Sequence, residues 1–427
     1  MFYHQAEMNI PIEKNYDVIV AGSGPSGVSA ALMSARRGAK VLLIEYCGSV
    51  GGISTSGLMS HFTGSVRSHL YDEILNRAAE KNTFKNYSPK IHIDPEMLKI
   101  TYMEMLKEAG VNILLYTLVC DTITKDNKVI GVVTESKSGR KAYTAKAVID
   151  CTGDGDVAMH AGASYFLGRE SDNKMQPATL MFKVGGVDME RAVFPGSFET
   201  TVETPKGELQ ELAKKLLPYP AGHVLLYRST IPGIVTCNMT NCIDVDGTKA
   251  EDLTKAEIIC REQMIPIVDF LREYVPGYEN CYIISAASLI GIRETRHFIG
   301  CKQITEEDIL AAKVFDDWVV RDAYFNFDVH NISGASLDKT GVQKNFKQTK
   351  GYTIPYGCLV PKEINGLLLS GRNISGTHMA HSNFRAMPIC VAIGEACGIA
   401  AAIAVKTNRE LRDVSPFEIQ NILTMND

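Results

Sequence analysis

The run Gly22-Ser23-Gly24-Pro25-Ser26-Gly27 constrains this chain more than any other stretch, because of what stands on either side of it. Before it, residues 16–21 (YDVIVA) form a short, β-branched apolar run that stops at a glycine, as a fully buried parallel strand does. After it, residues 28–37 (VSAALMSARR) have helical composition, and Gly38 can cap them. Residues 40–45 (KVLLIE) then make a second apolar strand ending in an acid. In a βαβ unit of this kind Gly22 permits the tight turn, Gly24 lets a ligand approach the backbone, and Gly27 packs the helix on the strand. Glu45 follows Gly27 by 18 residues and stands where a carboxylate accepts hydrogen bonds from a ribose diol. In this context the glycine turn predicts a bound dinucleotide, with its pyrophosphate at the helix N-terminus. A GxGxxG turn without the strand, the helix and the acid would be an ordinary loop.

Further along, residues 111–152 hold several β-rich runs separated by turn signals at Asp126-Asn127 and Ser138-Gly139, closing on AKAVIDCTGDGD as another buried strand. Residues 166–290 lose the βαβ rhythm. They offer helical candidates at 208–217 and 255–274, the second opened by a capping box of Thr254 with Glu257, and a strand at 175–184 (MQPATLMFKV). Residues 364–370 (INGLLLS) return to an apolar strand before Gly371, and a last helix starts at Ser415-Pro416 with Glu418 completing its box. The expected architecture is α/β: a nucleotide-binding domain from residues 1–165 plus 345–427, with an α+β domain of residues 166–344 inserted.

Length and composition narrow the function. A chain of 427 residues gives two or three domains at roughly 150 residues each, enough for an enzyme with a large core. Lys plus Arg total 44 against 49 Asp plus Glu, a net charge of −5 without a long block of either sign, so neither nucleic acid nor an anionic membrane is an expected partner. The 11 cysteines are scattered without CxxC pairs, which argues against zinc, an iron–sulfur cluster and a secreted disulfide framework, and for a reducing, cytoplasmic setting. Residues 1–17 mix charge and polarity, so no signal peptide is expected. Residues 387–405 (MPICVAIGEACGIAAAIAV) nearly suffice to cross a bilayer. With Glu395 at the middle, Pro388 at the start and many Gly and Ala, they read instead as a helix pressed against other protein.

Six segments, in order, carry a resemblance: GSGPSG, Glu45, Gly51-Gly52-Ile53-Ser54-Thr55, the strand end Thr152-Gly153-Asp154-Gly155-Asp156, GIRETR (residues 291–296) and LLLSGRNISGTH (residues 367–378). Together they resemble the FAD-dependent oxidoreductase family, within the glutathione-reductase-like group and related to the succinate dehydrogenase/fumarate reductase flavoproteins. The resemblance implies FAD, with Gly22, Ser23, Gly24, Pro25, Ser26 and Gly27 at the pyrophosphate, and Glu45 with neighbouring Tyr46 at the adenosine ribose. It implies Gly51, Gly52 and Ser54 along the path to the flavin, the Val119 backbone at adenine, and Thr152 and Gly153 against the cofactor. Gly371 and Arg372 would reach the ribityl side, and the helix starting near Pro388 would aim its N-terminus at the isoalloxazine, whose reduced form carries negative charge there. No second GxGxxG follows, so a separate NAD(P)H domain is not expected. No histidine lies between Glu45 and Gly52, so FAD is expected to be non-covalent, with the Cys47 thiol the one group near enough in sequence to form a thioether.

The reaction chemistry is sought among Arg293, Arg296, His297, Arg372, His378, His381 and Arg385. Histidine exchanges protons near neutral pH, and arginine holds a carboxylate or a developing oxyanion. Arg293, His378, His381 and Arg385 are taken as catalytic, although arginines in such a group also serve simply as partners of Glu294, Asp154 or the pyrophosphate. No metal is expected, since His378 and His381 lack carboxylate or cysteine company in the sequence. Cys237 and Cys242 have a C-x4-C spacing, but an offset of five puts them on opposite faces of a strand and favours buried free thiols. The expected activity is hydride transfer between flavin N5 and a small organic substrate, for which the arginines admit an anion, at a CH–OH, CH–NH or CH–CH centre. Two other readings are a flavin-bearing electron-transfer subunit, weakened by the lack of iron–sulfur cysteines, and a flavin-dependent tRNA-modifying enzyme, opposed by the acidic balance. A homo-oligomer is compatible with all three.

Overall fold

The computed structural model describes residues 8–59, 61–195, 197–200, 202–335 and 348–425. The expected boundary between residues 344 and 345 falls outside them. The first βαβ unit comprises β1 (Ile12–Ala21), α1 (Pro25–Arg36) and β2 (Val41–Ile44), followed by α2 (His69–Glu80), α3 (Pro95–Glu108) and β3 (Asn112–Leu114). Three strands, β4 (Leu118–Lys125), β5 (Lys128–Ser136) and β6 (Gly139–Asp150), form an antiparallel meander. Its first reversal is at Asp126 and Asn127, both with positive φ, as a tight hairpin turn requires. A long excursion then holds α4 (Asp156–His160), β7 (Tyr165–Leu167), β8 (Phe182–Gly185), the small hairpin β9 (Glu203–Thr204) and β10 (Gly207–Glu208), and α5 (Leu209–Leu216). It continues through β11 (Leu226–Arg228), β12 (Val235–Cys237), α6 (Ala250–Tyr274), β13 (Tyr282–Ala286), β14 (Arg296–Phe298), α7 (Glu306–Leu310), β15 (Trp318–Ala323) and β16 (Tyr352–Pro355). The chain returns with β17 (Leu367–Leu369), α8 (His378–Phe384), α9 (Met387–Thr407) and α10 (Pro416–Thr424).

The main sheet has the order β3-β2-β1-β6-β5-β4, with β17 also on β6. Strands β1, β2, β3, β6 and β17 run parallel, in a register that sets Ala21 beside both Ile44 and Asp150, and Asp150 beside Leu369. Gly22, Glu45, Cys151 and Ser370 therefore leave the sheet at one edge, the carboxyl ends where open α/β sheets bind ligands. This is a mixed α/β fold, as the sequence led one to expect. A second core is built on the antiparallel sheet β11-β12-β8-β13, against which α5 and α6 bury Leu209, Ala213, Cys260, Met264, Ile267 and Leu271.

Helix α9 explains its own composition. Its apolar window is 89% buried within the protein, and a Cβ on Gly394 or Gly398 would overlap the carbonyl oxygens of Ser26 and Ala30, so α9 and α1 touch backbone to backbone. Glu395 in this helix accepts a hydrogen bond from Ser68 Oγ at 2.6 Å, and burial pushes its pKa up.

Two local readings are corrected. The second long helix begins at Ala250, not after Thr254, and Thr254 Oγ1 donates to Ala250 O at 2.8 Å inside it. A threonine serves a helix interior by this back-bond as readily as it caps, so the Thr254–Glu257 spacing misleads. Of residues 175–184 only the end is strand, beginning at Phe182, while Ala178 and Thr179 make isolated bridges to Cys242 and Gly291. Pro177 has no N–H for a ladder.

Candidate functional site

The glycine turn is shaped by contacts that leave no room for side chains. Gly22 has φ +90°, and a Cβ on Gly27 would overlap Gly22 O. At Gly24 a Cβ would meet no heavy atom within 4 Å, and Gly24 caps α1 without any side-chain hydrogen bond. The first turn of α1 thus has no side-chain cap and is preceded by a glycine with free space beside it, an arrangement that suits a pyrophosphate. Glu45 is 5% exposed; its Oε2 accepts from Ser23 N (2.8 Å) and Ser23 Oγ (2.7 Å), and its Oε1 accepts from Cys47 N (2.9 Å). Three of about four acceptor directions are filled, so the acid ties the turn together and keeps one direction on Oε1 for a diol. Tyr46 is 55% exposed beside it. Thr117 N donates to Glu45 O at 2.9 Å and brings Val119 near, on β4 at the sheet's edge. The Cys47 thiol is pushed up to about 11 by burial and by the Glu45 charge.

The other expected cofactor positions converge from both ends of the chain. Gly51 N donates to Ser23 O at 2.8 Å, Gly52 packs over Gly24, and Ser54 Oγ closes the loop on Gly51 O at 2.6 Å. Thr152 is held by Asp150 Oδ1, Arg372 pairs with Asp154 at 2.7 Å and lies over Gly153, and Ser370 Oγ lies 2.6 Å from Ser26 Oγ, beside Gly371. Pro388 occupies the first turn of α9, whose N-terminus has no side-chain cap. A glycine cradle, an acceptor carboxylate at the end of β2 and two uncapped helix N-termini form a set that fits FAD.

The four expected catalytic side chains form two groups. Arg385 donates through Nη2 to Asp328 O (2.7 Å) and Oδ2 (2.9 Å), and His330 Nε2 lies 3.3 Å from the same carboxylate. Arg293 donates through Nη1 to Pro177 O (2.5 Å) and Thr179 Oγ1 (2.8 Å), and burial together with Arg385 lowers its pKa to about 10. The second group centres on Glu294, fully buried, whose Oε1 accepts from His378 Nδ1 (2.5 Å) and His297 Nε2 (2.8 Å) while Oε2 accepts from Gln176 N (3.1 Å). Despite burial, the Glu294 carboxylate raises the His378 pKa, and the two rings hold the Glu294 pKa well below the carboxylate range.

His381 departs from the expectation. Its ring is 1% exposed, wedged edge-on against His297 and Phe384, and burial holds its pKa well below the ordinary value, which favours the neutral imidazole. The company that His378 lacked in sequence is supplied by Glu294 and His297: one donor atom from each of the three lies within 4.8 Å of the others, a set a divalent cation could use, here bound to one another through hydrogen bonds. Arg296 goes to Asp154 O and Asp156 rather than to this group. Cys237 and Cys242 are both buried free thiols.

Sequence reading missed Asp328, His330, His223, Tyr227 and Asn238. His223 Nε2 bonds to Asn238 O at 3.0 Å, and Asn238 Nδ2 donates to Tyr227 OH at 3.1 Å. Tyr227 meets the His61 ring edge-on at 4.4 Å, and the Phe198 ring stands between His223 and His330. The one signal available was the i, i+2 spacing of Asp328 and His330 in NFDVHN (residues 326–331).

Comparison with known proteins finds relatives of this sequence. The family model described as FAD dependent oxidoreductase matches residues 17–423. A thiamine thiazole synthase of Methanococcus maripaludis is 34% identical over 160 residues, 34% of this chain and 58% of that protein. A tRNA uridine 5-carboxymethylaminomethyl modification enzyme MnmG of Clostridium botulinum is 30% identical over 177 residues, 35% of this chain and 27% of that enzyme. The chain thus spans little more than half the length of the first of these relatives and about a quarter of the second. A geranylgeranyl bacteriochlorophyll reductase-like structure from Thermoplasma acidophilum aligns with 96% of this chain and 82% of its own at 14% identity and TM-score 0.46.

Proposed function

Since the chain belongs to the FAD dependent oxidoreductase family and is an FAD enzyme, we propose that it moves a hydride between flavin N5 and a small organic substrate at a CH–OH, CH–NH or CH–CH centre. We assign FAD, bound non-covalently, to residues 1–165 with 345–427, and the cover over the substrate to residues 166–344. The observation that carries this reading is that Arg385, next to the N-terminus of α9, and Arg293, which the insert supplies, both act on the Asp328 carboxylate. When bound, FAD supplies the hydride donor or acceptor. The protein's part is to grip, orient and move protons. Glu45 and the turn of residues 22–27 grip the adenosine diphosphate half; the raised pKa of the Cys47 thiol keeps it protonated and favours a non-covalent flavin. The N-terminus of α9 favours negative charge on the ring system.

His378 is the group suited to hold and release the accompanying proton. Its Nδ1–H is fixed on Glu294, which leaves Nε2 to exchange a proton with substrate. Arg293 orients the substrate or steadies a developing oxyanion. The test is anaerobic mixing with panels of hydroxy acids, amines, polyols and enoates while flavin absorbance is followed. One class should bleach the flavin, and Arg293→Ala should stay yellow but lose turnover. A panel without effect on the yellow protein would favour a partner-fed electron-transfer role instead.

The Glu294–His378 pair also fixes a pH dependence. Because the folded pKa of His378 is raised, the stability its ion pair contributes is fully present below the unfolded histidine value of about 6.5 and is lost as pH rises through the raised value. In a histidine-resolved NMR titration, His378 should titrate above about 6.5 in the parent protein. In Glu294→Gln it should titrate below that, since burial is then unopposed; an unchanged midpoint would remove Glu294 as the cause.

A further inference from the structure

We propose that the charged cluster of Arg293, Arg385 and Asp328 binds a short-chain monocarboxylate bearing a hydroxyl or amino group near its carboxyl carbon. This deepens the hydride-transfer reading above and rests on it for the link to flavin.

The argument starts from charge. Asp328 is the acid facing both guanidinium groups; it pairs with Arg385 at 2.9 Å, and its own carboxyl is held well below the usual range by His330, Arg385 and Arg293. Arg293 gives its hydrogen bonds to a carbonyl and a hydroxyl, both neutral, and forms no ion pair among the described residues. The imidazoles nearby add no negative charge, and burial holds His330 at about 4 and His223 at about 3, so they are neutral at physiological pH. Two cations and one anion leave a single positive charge on side chains that are largely but not fully buried. Charges in such places are paired, because desolvating an unpaired one costs several kcal/mol. One anionic group completes the set, and a planar carboxylate matches the fork of a guanidinium.

Polar atoms without partners specify the rest of the ligand. Arg385 Nε is buried with no acceptor, and so is the donor Gln176 Nε2. His223 Nδ1 and the acceptor Asn238 Oδ1 are likewise buried and unpaired. Gln176, His223 and Asn238 are each at least 95% buried. They belong to the same wall: Gln176 Oε1 accepts from His330 N, and His223 responds electrostatically to both His330 and Arg293. A wall offering both donors and an acceptor beyond the guanidinium pair calls for a group that can accept and donate, a hydroxyl or an amine. Aromatic edges limit the size of the ligand. Phe198 stands 4.6 Å from His223 and 5.2 Å from His330, and His61 packs at 4.4 Å on Tyr227.

A short chain of contacts links this cluster to the positions assigned to the cofactor. From Gly52, which packs on Gly24, the backbone leads to Ile53, whose side chain lies against Gly291. Gly291 N donates to Thr179 O at 2.8 Å, and Thr179 Oγ1 receives Arg293. On the opposite side Arg385 closes α8 and Met387 opens α9. A carbon next to a carboxylate held here would lie beside the position assigned to the flavin.

The test compares carboxylates with their amides on the FAD-loaded protein, by calorimetry and by perturbation of the flavin spectrum. Lactate, glycerate, alanine and serine, each as both enantiomers, are set against lactamide, glyceramide, alaninamide and serinamide, with inorganic phosphate and succinate as other anions. At least one monocarboxylate should bind about 100-fold more tightly than its amide, the loss expected when a hydrogen-bonded charge contact is removed. Arg293→Gln should abolish that difference while the protein stays yellow, and Arg293→Lys, which keeps the charge and is milder to the fold, should retain only part of it. Equal binding of acid and amide, or tighter binding of phosphate or succinate than of any monocarboxylate, overturns the proposal. A protein that discriminates acid from amide but never holds flavin would keep the carboxylate site and overturn the hydride-transfer reading instead.

Discussion

Glu45→Ala should emerge from purification as apoprotein, or with FAD so loosely held that gel filtration strips it. The loss is larger than one ribose contact, because the same carboxylate accepts three hydrogen bonds from Ser23 and Cys47 and so shapes the loop on which the pyrophosphate would rest. Hydrogen bonds to charged groups contribute about 1.5–3 kcal/mol each, so the dissociation constant for FAD should rise at least about 100-fold. Glu45→Gln, which retains acceptors at Oε1 but sets an NH2 against the Ser23 N–H, should fall between. The measurement is flavin fluorescence on titration of stripped protein, and an unaltered affinity in Glu45→Ala would show that the adenosine ribose is bound elsewhere.

Gly394→Val should have the other large effect. A Cβ there would overlap the backbone of Ser26, so neither helix can yield by turning a side chain, and α1 must move away from α9. Overpacking of this kind costs about 1–3 kcal/mol where side chains can adjust and more where backbone must move. We expect a loss of at least about 3 kcal/mol together with weakened FAD binding, since α1 carries the glycine turn at its head. Gly38→Ala is the control: it has φ +88° but nothing within 4 Å of a new Cβ, so only the left-handed conformation is strained, at about 1–2 kcal/mol. Denaturant midpoints read both; equal losses would mean that α1 and α9 do not touch as described.

The parts of the fold that were legible in sequence are those in which neighbouring residues share one task. The run from Tyr16 to Glu45 alternates buried strand, glycine turn and helix within a few dozen residues, and β1, α1 and β2 form there. The Gly and Ala spacing of α9 disclosed a packed helix, because close backbone contact excludes larger side chains. The insert was harder to read. Its sheet pairs β8 with β12 and β13, strands far apart in sequence whose partners no local pattern announces. Thr254 misled since one hydroxyl can serve either a cap or a helix interior. At the candidate site, Arg293 and His378 stood out as ionisable groups in glycine-containing motifs, and Arg385 as a cation shortly after the second of them. Asp328 and His330 stood in a segment with no such motif, and their meaning comes only from the two arginines that the fold brings to them. Glu294 was visible as a counter-ion, but its role as shared acceptor for His297 and His378 depends on α8 arriving from 84 positions away.

The contact between α1 and α9 has a consequence during protein synthesis. Ser34 Oγ donates to Gly398 O, 364 positions downstream, so the two halves of this helix pair leave the ribosome far apart in time. At about 5–20 residues per second that interval is roughly 20–70 s, during which the nascent N-terminal segment has its glycine turn but not the helix that seats it. Flavin capture is therefore a late event in biogenesis, and messages truncated before α9 should yield polypeptides that depend on chaperones and stay colourless.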